Sequence, residues 1–519
     1  MGIANAWREL WRPNPSPIAR PRRRMYAGAE TSRLTAGWST SVSSADSELK
    51  GSLAKLRSRS RQLVRDSDYA KNAIATIVNN TVGTGIKLQA QVRKQRAGKN
   101  GKLDEKCNQA IEREWKRWGR KDCCDVAQKM SWEDINRAAI RQMAEGGECI
   151  IRIIRGVKFG RSRVPMALQV LESEMLDENY SGSSPSKDLQ WRMGCLTDKY
   201  GAVKKYAFFT KHPGDTLFPS DIGAQKKEHV IVDAKDVIML YKIDRPGQNR
   251  GIPWLSSAIQ RLHHLDGYEK AELIKARASS ALTAFVSSPE AELSGMSDDV
   301  VDGDRVYDLE PGAVRLLGPG EQVHVPDLHA PDGQFQPFLT AMLRAVASSM
   351  GISYESLSRD YSMSNYSSSR LSLLQDQAGY RSLQRQLEES LLQVVYDEWL
   401  ELAYLEGVLD LPTYMAEPDR YRTVRWLYPP FHWVDPEKET KSALMAVQAG
   451  FRTQSDVIQE MGGDFNDLIN QRAQEMEAAK QAGLTFISNT DASTQKDLST
   501  VEEKPNKDDE ENAEEKASS

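Results

Sequence analysis

The stretch "RPGQNRGIPWLSSAIQRLHHLDGYEKAELIKARASSALTAFV", residues 245–286, changes the character of the chain. It begins with turn-forming residues, and Pro253 then stands where a helix can start. About thirty residues follow with a single glycine and no further proline, a composition that permits one uninterrupted helix. This stretch therefore predicts a long helix that begins just after a turn.

A second helix is predicted beyond a short insert. Residues 287–334 contain strand-like pieces divided by glycine and proline, as in "GAVRLLGPGEQVHVPDLHAPDGQ" (312–334). The segment "QPFLTAMLRAVASSMG" (336–351) is helical again. The apolar residues on one of its faces are Phe338, Met342, Val346 and Met350. A helix pair that brackets a small insert places the insert at the far end of a stalk, which favours an elongated subunit over a compact enzyme.

The region before this arm, from about residue 60 to 245, combines helical and strand-like patterns. Helical segments span 56–83, 103–118 and "SWEDINRAAIRQMAEGG" (131–147), where Ser131 is the expected N-cap. Four β-like runs follow. They are "ECIIRIIRG" (148–156), "PMALQVLE" (165–172), "GAVKKYAFF" (201–209) and "VIVDAKDVIMLYK" (230–242). This order is typical of an α+β domain.

A polar stretch, "SRDYSMSNYSSSR" (358–370), separates the second helix from a longer one. It holds six serines, two tyrosines, two arginines and no aliphatic side chain. A long helix is predicted over about 370–407. Its core-facing residues are expected to be Tyr380, Leu383, Leu387, Leu391, Val394 and Leu402. Residues 436–483 are helical and charged, with a break near Gly462–Gly463.

The two ends of the chain carry opposite charge. Residues 1–65 hold thirteen Lys/Arg against four Asp/Glu, and residues 501–519 hold eight Asp/Glu against three Lys. Both ends are poor in apolar residues, which is typical of flexible arms, either solvated tails or segments that touch nucleic acid or a charged neighbour. The five cysteines form no CxxC pair, which favours reduced thiols in a cytoplasmic compartment. No secretory signal or membrane-spanning run is found.

Signatures of catalysis and of metal binding are few. No GxxxxGK[ST], HExxH or GxSxG motif occurs, so neither a phosphate loop nor a familiar hydrolase site is predicted. His263 and His264 with Asp266 are poor metal ligands because adjacent helical residues point about 100° apart. The acidic run 298–304 lacks the ligand spacing of a calcium loop. Cys123–Cys124 has no second pair to complete four ligands, so no metal and no cofactor is expected.

Four collinear pieces of the chain resemble the lambda-like portal family of tailed phages. They are "LVRDSDYAKNAI" (63–74), "RPGQNRGIPW" (245–254), "FQPFLTAMLRAVASSMGISYESLSRDYSMSNYSSSR" (335–370) and "DPEKETKSALMAVQAGFRTQSDVIQEMGGD" (435–464). Together they span roughly residues 60 to 485 in order. One piece alone would be weak, whereas four in the same order are specific.

The resemblance implies a homo-oligomeric ring, typically of twelve subunits, at one vertex of a phage capsid. Double-stranded DNA would pass through its axis without sequence specificity, during packaging and ejection. Expected partners are terminase, the major capsid protein or scaffold, and the head–tail connector, with no membrane contact. The protein would reside in the virion, and in the host cytoplasm during assembly, and would not be an enzyme.

The resemblance also implies a fold: an α+β subunit, mainly α, elongated, with a wing, a two-helix stem, a small β-containing clip and a helical crown. The expected regions are a basic arm 1–59, wing 60–250, first stem helix 251–285, clip 286–334, second stem helix 335–351, tunnel loop 352–370, long wing helix and return to the wing 371–435, crown 436–485 and acidic tail 486–519.

The polar stretch corresponds in this family to a loop that projects into the axial channel. Passing DNA presents phosphates in every register, so short hydroxyl and amide groups that make weak, replaceable contacts suit such a loop. A strongly basic loop would retard the duplex, because each neutralised phosphate adds salt-dependent affinity. The expected channel residues are Arg359, Tyr361, Ser362, Ser364, Asn365, Tyr366, Ser367 and Arg370. The alternative is an ordinary helix connection in which Arg370 caps the next helix.

The first stem helix offers Lys270, Lys275 and Arg277 as further channel-facing cations. Glu269 and Glu272 lie among them, so a solvated face of alternating charge is equally consistent. Two other classes of protein remain open from the residues: a non-portal head–tail adaptor ring, and a packaging enzyme that acts on nucleic acid. The absent phosphate loop disfavours the enzyme, and the length of the chain disfavours the adaptor.

Overall fold

Three helices form the N-terminal part of the described chain, and the second and third occupy the segment 56–83 that the sequence predicts as one helical segment. The computed structural model describes residues 39–94, 101–184, 188–215, 228–281, 335–431 and 435–482, with isolated residues and short strands elsewhere. The helices are α1 Ala45–Leu49, α2 Leu53–Asp66 and α3 Asp68–Thr81. Ser67 divides the last two because its extended backbone stops α2 and its hydroxyl accepts the Ala70 amide of α3.

Two of the next three helices were predicted from the sequence, and the short helix between them was not. They are α4 Glu105–Trp118, α5 Lys121–Cys124 and α6 Trp132–Gly146. Ser131 is the N-cap of α6 and accepts the backbone N–H of Asp134, whose carboxylate accepts the Ser131 amide in return. This capping box confirms the predicted start of the helix.

The four β-like runs are strands, and they belong to two different sheets. The first sheet has the antiparallel order β3 Met166–Leu171, β2 Glu148–Arg155, β9 Val237–Tyr241. The second has the order β4 Gly182–Ser183, β5 Leu189–Arg192, β6 Cys195–Asp198, β7 Val203–Phe209, β8 His229–Asp233. The single run 230–242 therefore enters both sheets, because the 3-10 turn Ala234–Asp236 redirects the chain between them.

A tryptophan cluster fills the centre of the main core and joins the N-terminal helices to the long helix. Trp115 lies 5.4 Å from Trp132 and 5.1 Å from Trp399 between ring centroids, both in edge-to-face arrangements. Trp426 joins the cluster from β14 Val424–Leu427, which pairs with β1 Lys87–Ala90. The favoured geometry of such pairs adds to their area burial.

The helix–insert–helix order is confirmed. A 3-10 turn at Trp254–Ser257 leads into α7 Ile259–Ala281, and α8 Phe335–Met350 follows the insert. The two helices pack through Tyr268, whose ring centroid lies 5.7 Å from Phe335 and 4.9 Å from Phe338. Phe338 nevertheless remains 42% exposed, so the predicted apolar face of α8 is fully covered only from Leu343 onward.

The insert contains strands, as expected, although most of it lies outside the described residues. β10 Ala284–Ser287 pairs in parallel with β13 Val314–Leu317, and β11 Val300–Val301 pairs with β12 Asp304–Arg305. Most of the acidic run 298–304 likewise lies outside the described residues.

After the short helix α9 Tyr354–Ser358, the long helix begins earlier than predicted and contains one π turn. It consists of α10 Tyr366–Leu387, a π-helical turn Glu388–Leu392 and α11 Gln393–Leu405. The π turn adds one residue to the helical register. As a result Val394, predicted to face the core, is 38% exposed, and its neighbour Val395 is buried instead.

The C-terminal part has three helices rather than two. Following α12 Pro418–Arg422 and β14, they are α13 Pro436–Gln448, α14 Gln454–Glu460 and α15 Phe465–Gln481. The break near Gly462–Gly463 is confirmed. A second break after Gln448, which the sequence analysis missed, arises where Gly450 takes a left-handed φ of 75° and Thr453 caps α14. No helix in the described part of the chain combines the length and apolar character needed to cross a bilayer.

Candidate functional site

The polar stretch is largely structured, and its open part is short. Helix α9 starts at the N-cap Ser353 and ends at Arg359, whose φ of 60° places it in the left-handed region. Residues 360–364 follow without regular helix, and Asn365 caps α10.

The predicted loop 352–370 is therefore too long, and the open segment is 359–365. The physical reason is a capping box: Asn365 accepts the backbone N–H of Ser368 at 2.8 Å, and Ser368 Oγ accepts the Asn365 N–H at 3.2 Å. This box starts α10 at Tyr366. Ser367 and Arg370 consequently lie in the helix rather than in the loop.

The N-terminal side of the open segment is fixed by a buried carboxylate. Asp376 of α10 is only 4% exposed. It accepts hydrogen bonds from the amide and hydroxyl of Ser353, at 2.9 and 2.8 Å, and from the Ser356 hydroxyl at 2.7 Å. Charge-assisted hydrogen bonds of this kind are stronger than neutral ones, so helix α9 is tightly mounted on α10.

A second anchor comes from α3. The Asn72 amide donates to the carbonyls of Ser356 and Leu357 at 2.9 and 2.7 Å, and so satisfies carbonyls at the end of α9. Its oxygen accepts from the Arg359 guanidinium at 3.3 and 3.2 Å. Arg359 is thus bound to the base of the loop rather than extended from it.

The tip of the segment is exposed. Tyr361 is 58% exposed and Met363 is 88% exposed. Asp360 accepts hydrogen bonds from the Ser362 amide and the Tyr354 hydroxyl, both at 3.0 Å. These hydrogen bonds, from Ser362 first and then Tyr354, hold the pKa of Asp360 below its usual value, so the tip keeps a negative charge beside the arginine.

Arg344 is a cation of this site that the sequence analysis missed. It is exposed on α8, and its guanidinium lies 5.5 Å from the centre of the Tyr354 ring. Tyr354 in turn donates to Asp360, so Arg344 is connected through one side chain to the loop tip. The signal available in the sequence was an isolated arginine in the otherwise uncharged helix 335–350.

Most of the remaining predicted cations have acidic neighbours. Arg370 points to Glu439 of α13 at 3.7 Å. On α7, Lys270 pairs with Asp266 at 2.6 Å and Lys275 with Glu272 at 4.0 Å, while Arg277 is exposed. The Lys270–Asp266 pair is exposed and contributes little to stability, so the Lys270 ammonium group is able to exchange partners, whereas Lys275 and Glu272 are half-buried.

The turn at 245–252 has a role that the sequence did not reveal. Arg250 is completely buried and donates to the Glu148 carboxylate, at 2.6 Å for the shortest contact, and also to the carbonyls of Met193, Ser173 and Leu176. Arg57 donates to the same carboxylate at 2.7 Å. This cluster connects α2, the first sheet and the turn that precedes α7.

Charge and close backbone contact both maintain this cluster. Burial by itself would raise the pKa of Glu148, but the charges of Arg250 and Arg57 outweigh it and lower that pKa. Gly147, at a φ of 91°, packs directly on Gly251, and a Cβ on Gly251 would lie 2.0 Å from the Gly147 carbonyl oxygen. The two glycines are thus required by the close approach.

One group in the described part of the chain brings together possible metal ligands: Glu172, Glu174 and His212. Arg61 occupies this group, at 3.1 Å from Glu172 and 2.7 Å from Glu174. The guanidinium already bridges the two carboxylates, so the arrangement fits an ion pair network. His263 and His264 are exposed neighbours on α7, and Cys124 is buried with its thiol directed to the Gly119 carbonyl.

Comparisons with a family model and with curated relatives agree on one family. The family model described as "Phage portal protein, lambda family" matches residues 31–384. The chain is 29% identical over 497 residues to the probable portal protein of Halomonas phage phiHAP-1, covering 93% of this chain and 92% of that protein. It is 23% identical to portal protein B of Escherichia phage lambda, covering 86% and 88%, respectively.

Solved structures with a similar chain come from gene transfer agent particles. One is the neck of an empty particle, with a TM-score of 0.39 and 13% identity, covering 80% of this chain and 94% of that chain. Another is the virion of a native particle, with a TM-score of 0.38 and 13% identity, covering 79% and 93%. On the family match over residues 31–384, which is more than half of its length, this chain belongs to the lambda family of phage portal proteins.

Proposed function

We propose that this portal protein forms a closed ring at one vertex of a phage capsid, and that double-stranded DNA passes through its axis. The observation that carries the proposal is the open segment 359–365. Its base is fixed from two sides, by Asn72 and by Asp376, while Tyr361 and Met363 at its tip remain exposed. A fixed base with an exposed tip suits a segment that touches a moving polymer.

The chemistry of the tip favours transient contact with phosphates. In the subunit the Ser364 hydroxyl donates to Glu355 at 3.1 Å and the Ser362 amide donates to Asp360 at 3.0 Å. Exchange of these carboxylate acceptors for phosphate oxygens would give weak contacts in any register. Arg359 is held by Asn72 beside the negative Asp360, so its charge is partly balanced. A site with more free cations would bind the duplex more tightly and would slow it, because each neutralised phosphate adds affinity.

The regions of the subunit follow from this assignment. The wing comprises 60–250 and 371–435, the stem 251–285 and 335–351, the clip 286–334 and the crown 436–485. The stem assignment is supported by the packing of Tyr268 on Phe335 and Phe338. Lys270, Lys275 and Arg277 are proposed as further cations that face the channel.

The ring would be a homo-oligomer, with twelve subunits as the expected number, and would reside in the virion after assembly in the host cytoplasm. It would serve as a docking platform for terminase during packaging and for the head–tail connector afterwards, within a capsid shell or its scaffold. We assign it no enzymatic step, since membership of the portal family supports a structural role.

Two variants test the roles of the tip and the base of the loop separately. The tip variant replaces Tyr361, Ser362 and Met363 with Ala-Gly-Ala, which leaves the Asn365 cap intact. The base variant is Asp376→Ala. We expect normal ring yield and melting temperature for the tip variant, because exposed substitutions change stability by about 0.5 kcal/mol or less, together with less packaged DNA. The base variant should instead have a lower melting temperature, because it removes the hydrogen bonds of Asp376.

Two results would contradict the proposal. Rings of the tip variant that fail to form would show that the segment is an ordinary structural connection. Rings that form and package DNA of normal length and at a normal rate would show that the tip does not meet the duplex.

A further inference from the structure

The three C-terminal helices bury almost none of their own apolar side chains. Helices α13 and α14 contain no buried residue, and among the described residues of α15 only Ala479 is buried. A soluble helix normally covers an apolar stripe against a core. The large side chains left open on these helices are Leu444, Met445, Phe451, Met461, Leu468, Ile469 and Met476, each at least 45% exposed.

Part of this surface forms a groove between the three helices. Val447 of α13, Val457 and Ile458 of α14, and Leu468 and Ile469 of α15 line it, and the groove encloses about 410 Å³. An apolar groove of this kind needs a complementary apolar side chain to exclude water from it.

A suitable side chain lies in the same C-terminal region but outside the groove. Phe451, in the turn between α13 and α14, is 83% exposed, and Met445 of α13 is 67% exposed. Neither lines the groove. The Phe451 amide donates to the Ala446 carbonyl at 3.0 Å, so the turn that presents the ring is itself ordered.

The described part of the subunit meets these helices through polar contacts and through Pro430, which lies against Gly462. Arg370 of α10 lies 3.7 Å from Glu439, and the Gln89 amide donates to Asp464 at the start of α15. These contacts place the helices on the body of the subunit and leave the groove and Phe451 open.

We propose that Phe451 of one subunit inserts into the apolar groove of the next subunit in the ring. The inference rests on the proposed ring and names a contact that closes it. A groove and a separate protruding side chain on the same unit form a head-to-tail interface, the type that generates a ring when the rotation closes. Repeated around the ring, this contact covers both the groove and Phe451 of every subunit.

The exposed area fits a second copy of the chain as the occupant. The seven open side chains present about 800 Å² in total if a fully exposed large side chain is taken as about 200 Å². A head-to-tail contact divides this area between two faces, so each contact covers about 800 Å² from the two subunits together, roughly half of a standard interface, and adds to the rest of the ring interface. A different protein that filled only the groove would leave Phe451 in water on every subunit.

Cross-linking between introduced cysteines tests the contact directly. The double variant Phe451→Cys/Ile469→Cys, treated as assembled rings with a short bismaleimide, should give a ladder of covalent multimers. Each single variant should give none, since its cysteines face native residues. The native chain is the background control: burial raises the pKa of its one partly exposed thiol, Cys107, to about 11, and the other four thiols are buried.

Each outcome decides between distinct possibilities. Dimers from Phe451→Cys alone would show that two identical surfaces meet, which overturns the head-to-tail contact. Rings that are intact by imaging but give no multimers with the double variant would overturn it as well, while the proposed ring would stand. A native chain that forms no ring would reject the proposed function and the contact together.

A matched pair of substitutions tests the energetic role of Phe451. Tyr200, in a turn between β6 and β7, is 84% exposed and so is equally open to solvent in the subunit. We expect Phe451→Asp to reduce ring yield at least tenfold at a fixed protein concentration, and Tyr200→Asp to leave the yield within twofold of the native chain. Equal losses in both variants, or none in either, would overturn the assignment.

Discussion

Asn72 and Arg359 are joined by hydrogen bonds of 3.3 and 3.2 Å although 287 residues separate them in the chain. The same asparagine donates to the last carbonyls of α9, so one side chain of α3 holds both the end of that helix and the arginine that follows it. The position of the loop is therefore set by the packing of α3 and α9, and its tip contributes little to that position.

Substitution of Asn72 tests this dependence. Asn72→Asp keeps an acceptor for Arg359 but removes both N–H donors, so we expect a loss of about 1–2 kcal/mol in the free energy of unfolding and faster proteolysis within 359–365. Asn80→Ala is the control, because Asn80 bonds only to the Thr76 carbonyl of its own helix. Equal protease sensitivity in both variants would contradict the anchoring role.

Substitution in the buried cluster of Arg57, Glu148 and Arg250, just before α7, should lower the stability far more than substitution in a surface ion pair. Glu148→Gln leaves Arg57 and Arg250 without a buried counter-charge, and the loss of one partner of such a pair costs about 3–5 kcal/mol. Glu174→Gln, which removes a partly exposed partner of Arg61, is the control and should change stability by about 1 kcal/mol or less. Denaturant unfolding measures both, and similar losses would show that burial adds nothing to the central cluster.

The contact between the C-terminal helices and the body should depend on pH. Burial, which outweighs the hydrogen bond from the Ala90 amide, raises the pKa of Glu112 from its usual 4.5 to about 7, and the charges of Asp464 and Asp467 on α15 add to it. The folded state therefore holds this proton more tightly than the unfolded state. The stabilisation is complete below pH 4.5 and is lost as the pH rises through 7.

Glu112→Gln should remove this part of the pH dependence. The variant keeps an acceptor for the Ala90 amide but carries no charge, so near pH 8 we expect it to be more stable than the native chain by about 1 kcal/mol after solvent screening. Near pH 5 the two chains should differ by less. Glu105→Gln, at an exposed position of the same helix, is the control, and a native-like slope in Glu112→Gln would disprove the assignment.

Arginines near the loop should affect DNA more than stability. Arg344→Ala together with Arg359→Ala removes the cation on the Tyr354 ring and the cation that precedes Asp360 in the chain, so the affinity of the ring for duplex DNA should fall, and the difference from the native ring should shrink at high salt. Arg385→Ala is a control, because Arg385 is exposed on α10 and pairs with Glu389. DNA binding measured over a range of salt concentrations checks this, and an equal effect of all three substitutions would point to non-specific charge.

Much of the fold was predictable because it depends on near neighbours in the chain. The capping residue Ser131, the four β-like runs and the helix–insert–helix order follow from periodicity, turn residues and caps, which act over a few positions. The four collinear motif pieces together also identified the family, which the match over residues 31–384 confirms.

The candidate site was predictable only in outline. The polar stretch pointed to a loop, but its length depended on the Asn365–Ser368 capping box, and the role of Arg344 depended on a tyrosine brought near by the turn after α8. Serines and asparagines can cap a helix or remain open, and their sequence alone does not choose between the two.

The order of the elements and the family can be inferred from the chain without its structure, because both depend on local patterns of residues. Only the folded structure fixes the register after the π turn, which buries Val395 and exposes Val394. It also decided the burial of Arg250, which is stable only because Glu148, 102 residues away, supplies the opposite charge. A charged side chain is stable inside a protein only beside an oppositely charged partner, and the sequence does not show which residue that partner is.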